Sequence, residues 1–135
     1  MNKSIFVIDD YLINLLIAKI IIKNHGFFET ITPYLEAQKA LEDIIHNQSS
    51  KLMLPDVILL DLNMPVMDGW NFLDRYKEIS PSLGKCIDIY ILSSSTDIRE
   101  IQRSKQYTAV NGFLSKPLTK EMLEDIMISN LATAS

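Results

Sequence analysis

Apolar runs of strand length alternate along this chain with longer segments whose apolar residues recur at helical spacing. The first run is Ser4 to Ile8. A helical pattern follows from about Leu12 to Asn24 and meets Gly26, a stop signal. Glu29 to Tyr34 reads as a second strand. Leu35 to His46 reads as a helix, with Leu35, Ala37, Ala40, Leu41, Ile44 and Ile45 at helical spacing. A polar loop, Asn47 to Lys51, leads to a third strand, Val57 to Asp61. Asp68-Gly69 opens a third helix, with Asp68 as its cap and Phe72, Leu73 and Tyr76 on one side. Beyond the break at Ser80 to Gly84, Cys86 to Leu92 forms a fourth strand, and Thr96 to Lys105 a helix. Gly112 to Ser115 is a short fifth strand, and the last helix runs from Thr119 to about Leu131.

Five β-α units in alternation call for an α/β fold: a parallel sheet with helices on both faces. Right-handed crossovers leave few topologies. In such folds sites lie outside the C-terminal strand ends, where strand order reverses. The 135 residues suit one domain, with a core from about residue 4 to 131 and no output domain expected. The tail from Asn130 to Ser135 is expected to fray.

Composition narrows the function. Apolar residues make up 47% of the chain and the net charge is −4, which argues against disorder and against a basic nucleic-acid-binding face. The longest apolar stretch, Leu15 to Ile22, is interrupted by Lys19, and no run reaches membrane-spanning length. The first apolar run is too short for a signal peptide. A lone Cys86 excludes an internal disulfide and is expected as a buried thiol. These features fit a soluble, reduced, cytoplasmic protein. His25 and His46 are expected as capping or surface residues.

Chemistry gathers at strand ends. The first strand ends on Asp9-Asp10, the third on Asp61, the fourth on Ser93-Ser94, and Lys116-Pro117 follows the fifth. Three carboxylates brought together repel one another, and a divalent cation resolves that repulsion. Mg²⁺ takes oxygen ligands, usually one or two carboxylates with waters and phosphate oxygens. Lys116 adds a point charge for an anion and Ser93 a hydroxyl. The set suits a carboxylate that accepts a phosphoryl group.

These motifs carry a family resemblance. Asp9-Asp10, Asp61 with Asn63-Met64-Pro65 and Asp68-Gly69, Leu92-Ser93-Ser94, and Phe113-Leu114-Ser115-Lys116-Pro117 occur in the order and spacing of the receiver domain of two-component response regulators. The chain resembles that CheY-like family from residue 4 to about 131. The resemblance implies a flavodoxin-like doubly wound (βα)5 sandwich with five parallel strands in order 2-1-3-4-5. It also implies a Mg²⁺-dependent switch, not an enzyme, and with no output domain expected the switch is read as stand-alone. Asp61 would accept phosphate from a phosphohistidine on a sensor histidine kinase or a histidine phosphotransfer protein. Asp10, Asp61 and the Asn63 backbone carbonyl would hold Mg²⁺, with Asp9 acting through a water. Lys116 would pair with phosphoryl oxygens, Ser93 would close onto them, and Phe113 would swing inward. A cis peptide before Pro117 would aim Lys116. Ser94 is small enough to leave the phosphoryl group room, and Ser95 and Asn63 flank the pocket. A downstream protein, not nucleic acid or membrane, would read the surface of the fourth and fifth helices and the fifth strand.

The first helix carries more apolar residues than one face needs. On a helical wheel Ile17 and Ile21 share one side, while Leu12, Leu16, Lys19 and Lys23 share roughly the opposite side, with Leu15 at its edge. Lysine marks that second side as solvent-facing, so Leu12, Leu15 and Leu16 are expected to dock the phosphodonor. Two rival readings are weaker. An aspartyl-phosphate phosphatase resembles this chain in nucleophile and metal, but expects Asp where Asn63 stands. A receiver-like module without phosphorylation would not need the full acidic set and Lys116.

Overall fold

Strand residues that are apolar on both faces need helices on both, and that requirement sets the architecture. The computed structural model describes residues 3–95 and 97–133. The chain runs β1 (Ser4–Ile8), α1 (Leu12–His25), β2 (Thr30–Tyr34), α2 (Ala37–His46), β3 (Val57–Leu60), α3 (Gly69–Ile79), β4 (Asp88–Ser93), α4 (Ile98–Ser104), β5 (Val110–Ser115) and α5 (Lys120–Thr133). All paired strands are parallel, in the order β2-β1-β3-β4-β5. The strand order is the one the motifs imply.

Alternate strand residues serve opposite faces. Phe6, Ile8, Ile58, Leu60, Ile89 and Ile91 pack with Leu41 and Ile44 of α2 and Phe72, Leu73 and Tyr76 of α3. Ile5, Val7, Val57, Leu59, Tyr90 and Leu92 pack with Leu15, Ala18 and Ile22 of α1 and Leu123 and Ile126 of α5. β3 is buried along its whole length, so its C-terminal end is held rigidly where it meets the site.

Several expectations are corrected. Helix α1 turns Leu15, Ala18 and Ile22 inward, with Ile21 half-buried against the same core as its side of the wheel predicts, whereas Ile17 is exposed. The helix is apolar nearly all round, so its pattern alone does not select a face. Cys86 is exposed because β4 begins two residues later, at Asp88. Helix α2 begins at Ala37, after Leu35 and Glu36. The final helix continues to Thr133, and Asn130 is buried with its amide donating to Asp88 Oδ2 at 2.8 Å. Thr96, the expected start of the fourth helix, and Ala134 and Ser135 of the tail lie outside the described residues. The His25 ring is buried in place of capping the surface: its Nε2 lies 3.1 Å from Glu124 Oε1 of α5.

Candidate functional site

Strands β1 and β3 are neighbours that pair up to Ile8 and Leu60, so the residues after them emerge together. The Asp61 amide donates to the Ile8 carbonyl at 2.9 Å, and the Asp9 amide to the Tyr34 carbonyl at 3.0 Å. Carboxylate oxygens of Asp9, Asp10 and Asp61 thereby lie within 4.8 Å of one another. Asp9 and Asp61 are buried, whereas Asp10 is exposed at the mouth. The donor set is all oxygen. Ligands at opposite corners of a magnesium octahedron stand about 4.2 Å apart, close to this span. The residues therefore fit a hard divalent cation.

Lys116 arrives from the far side. Its backbone amide donates to the Ser93 carbonyl at 2.8 Å, which ties it to the end of β4, and the Lys116–Pro117 peptide is cis. Its Nζ donates to Asp9 Oδ2 at 2.7 Å and lies 3.5 Å from Asp61 Oδ1. Burial pushes the Asp61 carboxyl above the usual carboxylate range; Lys116 opposes that, Asp9 adds to it, and the Asn63 backbone N–H opposes it. A carboxylate desolvated beside one ammonium is a group that gains from added positive charge.

The loop after β3 is built to hold Asp61 still. Asp68 and Asn71 form a reciprocal capping box at the start of α3, with bonds of 2.8 and 3.1 Å. Gly69 follows directly and packs against the Asp61 backbone: a Cβ there would meet the Asp61 carbonyl oxygen at 2.7 Å. Asp68 is thus the cap the sequence indicates. Asn63 is exposed at the rim. Val66 lies at φ +67° with its side chain wholly exposed, a left-handed conformation uncommon for a β-branched residue.

Ser93 is fully buried at the end of β4, and its Oγ accepts from the Ser95 amide at 3.1 Å. Ser94 is exposed beside it. Phe113 pairs with Ile91 across β4–β5, is half-buried and packs on the α2–α3 side of the core. Of the three expected docking leucines, Leu12 and Leu16 are exposed, at 56% and 51%. Leu15 is only 3% exposed and belongs to the core, so it cannot insert into a partner. Lys19 and Lys23 are exposed on the same helix.

One site residue is absent from the sequence reading. The Asn14 side-chain amide donates to Asp9 Oδ2 at 3.2 Å. Its signal is a lone short polar residue, one helical turn beyond Asp10, in the apolar opening of α1.

Residues 5–128 match the family model of the response regulator receiver domain. The chain belongs to that family. Receiver domains are phosphoryl-accepting switches of two-component signalling, and the acidic cluster beside Lys116 occupies the strand ends where the motifs of this receiver domain converge. Among curated proteins, it is 30% identical over 128 residues to sporulation initiation phosphotransferase F of Bacillus subtilis, covering 93% of this chain and 90% of that protein. It is also 24% identical over 125 residues to hybrid signal transduction histidine kinase I of Dictyostelium discoideum. There it covers 93% of this chain but spans only 7% of the kinase's length. Among solved structures, a two component response regulator from Cytophaga hutchinsonii aligns with a TM-score of 0.88 at 26% identity, covering 97% of this chain and 98% of that one. Among the described residues, no helix is long and apolar enough to cross a membrane.

Proposed function

We propose that this receiver domain accepts a phosphoryl group on Asp61 from a phosphohistidine carried by a sensor histidine kinase or a histidine phosphotransfer protein. The observation that carries this reading is the convergence of Asp9, Asp10 and Asp61 within 4.8 Å, with Lys116 Nζ at 2.7 Å from Asp9 and 3.5 Å from Asp61. In the transfer, an Asp61 carboxylate oxygen forms the new bond to phosphorus as the bond to the histidine nitrogen breaks. Asp10, Asp61 and the Asn63 backbone carbonyl would hold Mg²⁺, with Asp9 acting through a water. Bound Mg²⁺ would supply positive charge next to the transferring oxygens. Lys116 supplies the protein's own positive charge, and catalysis is mostly positioning and neutralisation.

After transfer, Ser93 would turn its hydroxyl to a phosphoryl oxygen, giving up the bond from the Ser95 amide, and Phe113 would move inward beside it. Phe113 has no hydroxyl, so its switch is steric. The population then shifts between two surfaces built on α4, β5 and α5. The domain acts in this reading as a cytoplasmic regulator read by another protein, and its covalent chemistry is limited to its own phosphorylation and dephosphorylation. Exposed Leu12 and Leu16, flanked by Lys19, are the docking residues for the phosphodonor. Leu16→Asp should slow transfer from that partner and leave labelling by a small phosphodonor unchanged.

Incubation with acetyl phosphate and Mg²⁺, followed by intact mass, tests the central reading. A single phosphate on wild type, lost in hydroxylamine and absent from Asp61→Asn, is the expected result. A phosphate retained by Asp61→Asn would reject Asp61 as the acceptor.

A further inference from the structure

Asn14 and Lys116 share one oxygen. Asp9 Oδ1 accepts from the Tyr11 amide at 2.9 Å, and Asp9 Oδ2 accepts from both Asn14 Nδ2 at 3.2 Å and Lys116 Nζ at 2.7 Å. The carboxylate is therefore pinned at both ends, and one pin is a residue that the proposed reaction must also use elsewhere. Lys116 Nζ already sits 3.5 Å from Asp61 Oδ1, and phosphoryl oxygens placed on Asp61 would draw it further that way. Each bond Lys116 makes there weakens its hold on Asp9.

Resting on the receiver reading above, we infer that Asn14 is a positioning residue: its amide holds Asp9 Oδ2 in place when Lys116 turns to the phosphoryl group, so that Asp9 keeps its orientation toward the cation. The residue type fits the task. A neutral amide donates without adding positive charge, whereas a lysine or arginine at the same point would repel the metal. Asn14 is the third residue of α1, in its first turn, and the helix is otherwise apolar from Leu12 to Ala18. Its amide is free to make a tertiary hydrogen bond to a charged acceptor, the stronger class of hydrogen bond. The first turn of α1 begins right after the acidic pair, so residue 14 is placed over Asp9 by the helix itself. A cavity of about 80 Å³ lies alongside, lined by Asn14, Ile17, Lys116, Pro117 and Leu118 among others, and leaves room for a leucine at position 14.

The test compares wild type, Asn14→Leu, Asn14→Ala and Asn14→Gln. Calorimetric titration with Mg²⁺ gives the metal affinity directly, and acetyl phosphate labelling across Mg²⁺ concentration gives the half-saturating value and the rate at saturation. Asn14→Leu and Asn14→Ala should each weaken Mg²⁺ binding about tenfold, the usual effect of losing a residue that orients a ligand group. The rate at saturating Mg²⁺ should fall by less. Asn14→Gln, which keeps an amide donor, should recover most of the affinity. A purely structural role would lower the melting temperature without metal and leave Mg²⁺ affinity alone. Wild-type Mg²⁺ affinity in both truncations overturns the inference while leaving Asp61 as phosphoacceptor. Wild type that shows no Mg²⁺ saturation overturns both. If Asn14→Leu fails to fold, Asn14→Ala decides.

Discussion

The guanidinium carbon of Arg103 stands 4.3 Å from the centre of the Trp70 indole ring. Trp70 follows Gly69, the residue packed on the Asp61 backbone, while Arg103 is in the last turn of α4. Tyr107 stacks on the same indole at 5.9 Å between ring centres, and its hydroxyl donates to Asp74 Oδ1 of α3 at 2.7 Å. The helix that starts beside Asp61 is thus tied to the helix proposed to report the state of the site. Arg103→Ala should cost about 0.5–1 kcal/mol of stability, as exposed cation–π pairs do, and should change Trp70 emission. Urea unfolding monitored by fluorescence measures both; unchanged stability with unchanged emission would show that the guanidinium is solvated instead.

Gly69→Ala should be disruptive at a position with ordinary backbone angles. The added methyl would meet the Asp61 carbonyl oxygen at 2.7 Å and the Leu62 Cα at 2.8 Å, both backbone atoms that cannot rotate away. Overpacking of this kind costs about 1–3 kcal/mol. Because the displaced atoms carry the Asp61 side chain, phosphorylation by acetyl phosphate should slow as well. Denaturant midpoint and labelling rate are the two measurements, and a loss confined to stability would mean that α3 yields and Asp61 does not.

The raised Asp61 carboxyl makes a signed prediction about pH. An acid whose pKa is higher in the folded state than in the unfolded one contributes stability below its unfolded value and loses it as pH rises through the folded value. Burial is the main cause here, with Lys116 opposing it. Without metal, Asp61→Asn should therefore be more stable than wild type at neutral pH, and the gap should close by about pH 4, near the ordinary aspartate value. Urea unfolding of both proteins in a chelator across that range checks it. A gap that widens toward acid would have the wrong sign and would point to the Lys116 attraction as the dominant contribution.

Cation binding should reverse that penalty. A ligand that binds only the folded state, present at a hundredfold excess over its dissociation constant, adds about 2.7 kcal/mol. Mg²⁺ should raise the melting temperature of wild type, and a chelator should return it. Asp10→Asn removes the exposed carboxylate of the cluster and should abolish most of the rise. An equal rise in both proteins would place the stabilising ion elsewhere.

The fold and the acidic centre were legible because each rests on a short local pattern. Val57 to Leu60 is apolar on both faces and ends on Asp61, and a strand of that kind can lie only in the middle of a covered sheet. The Asp68-Gly69 pair announced a capped helix in the same way. Helix α1 shows where the pattern stops carrying information. Ile13, Ile17 and Ile20 are exposed and Ala18 is buried, an inversion of hydrophobic rank that only close packing of α1 against the sheet explains. Small Ala18 lets the helix approach, whereas the isoleucines would hold it off. The same placement took Leu15 out of the docking set. Asn14 and His25 escaped for a different reason: their partners, Asp9 and Glu124, are assigned by the tertiary fold.

The opposite rim of the sheet carries an ion cluster away from the acidic site. Asp56, just before β3, lies 2.9 Å from Lys85 Nζ and 3.8 Å from Lys3 Nζ, and its Oδ2 accepts from the Ser4 amide at 2.8 Å. Lys85 also donates to the carbonyls of Lys51 and Leu54, so it closes the loop before β3 onto the approach to β4. The Lys3 and Asp56 side chains are each only 9% exposed. Asp56→Asn keeps the shape and an acceptor for Ser4 but leaves two ammonium groups facing a neutral amide. Breaking a buried pair from one side costs about 3–5 kcal/mol, because the surviving charge stays desolvated. Lys85 is partly open to water, so the lower end of that range is expected, read as a drop in denaturant midpoint. Phosphorylation at Asp61, at the other end of the strands, should proceed at the wild-type rate in the folded fraction. A matching loss of phosphorylation would show that the two rims are coupled through the buried strand β3, which joins Asp56 to Asp61.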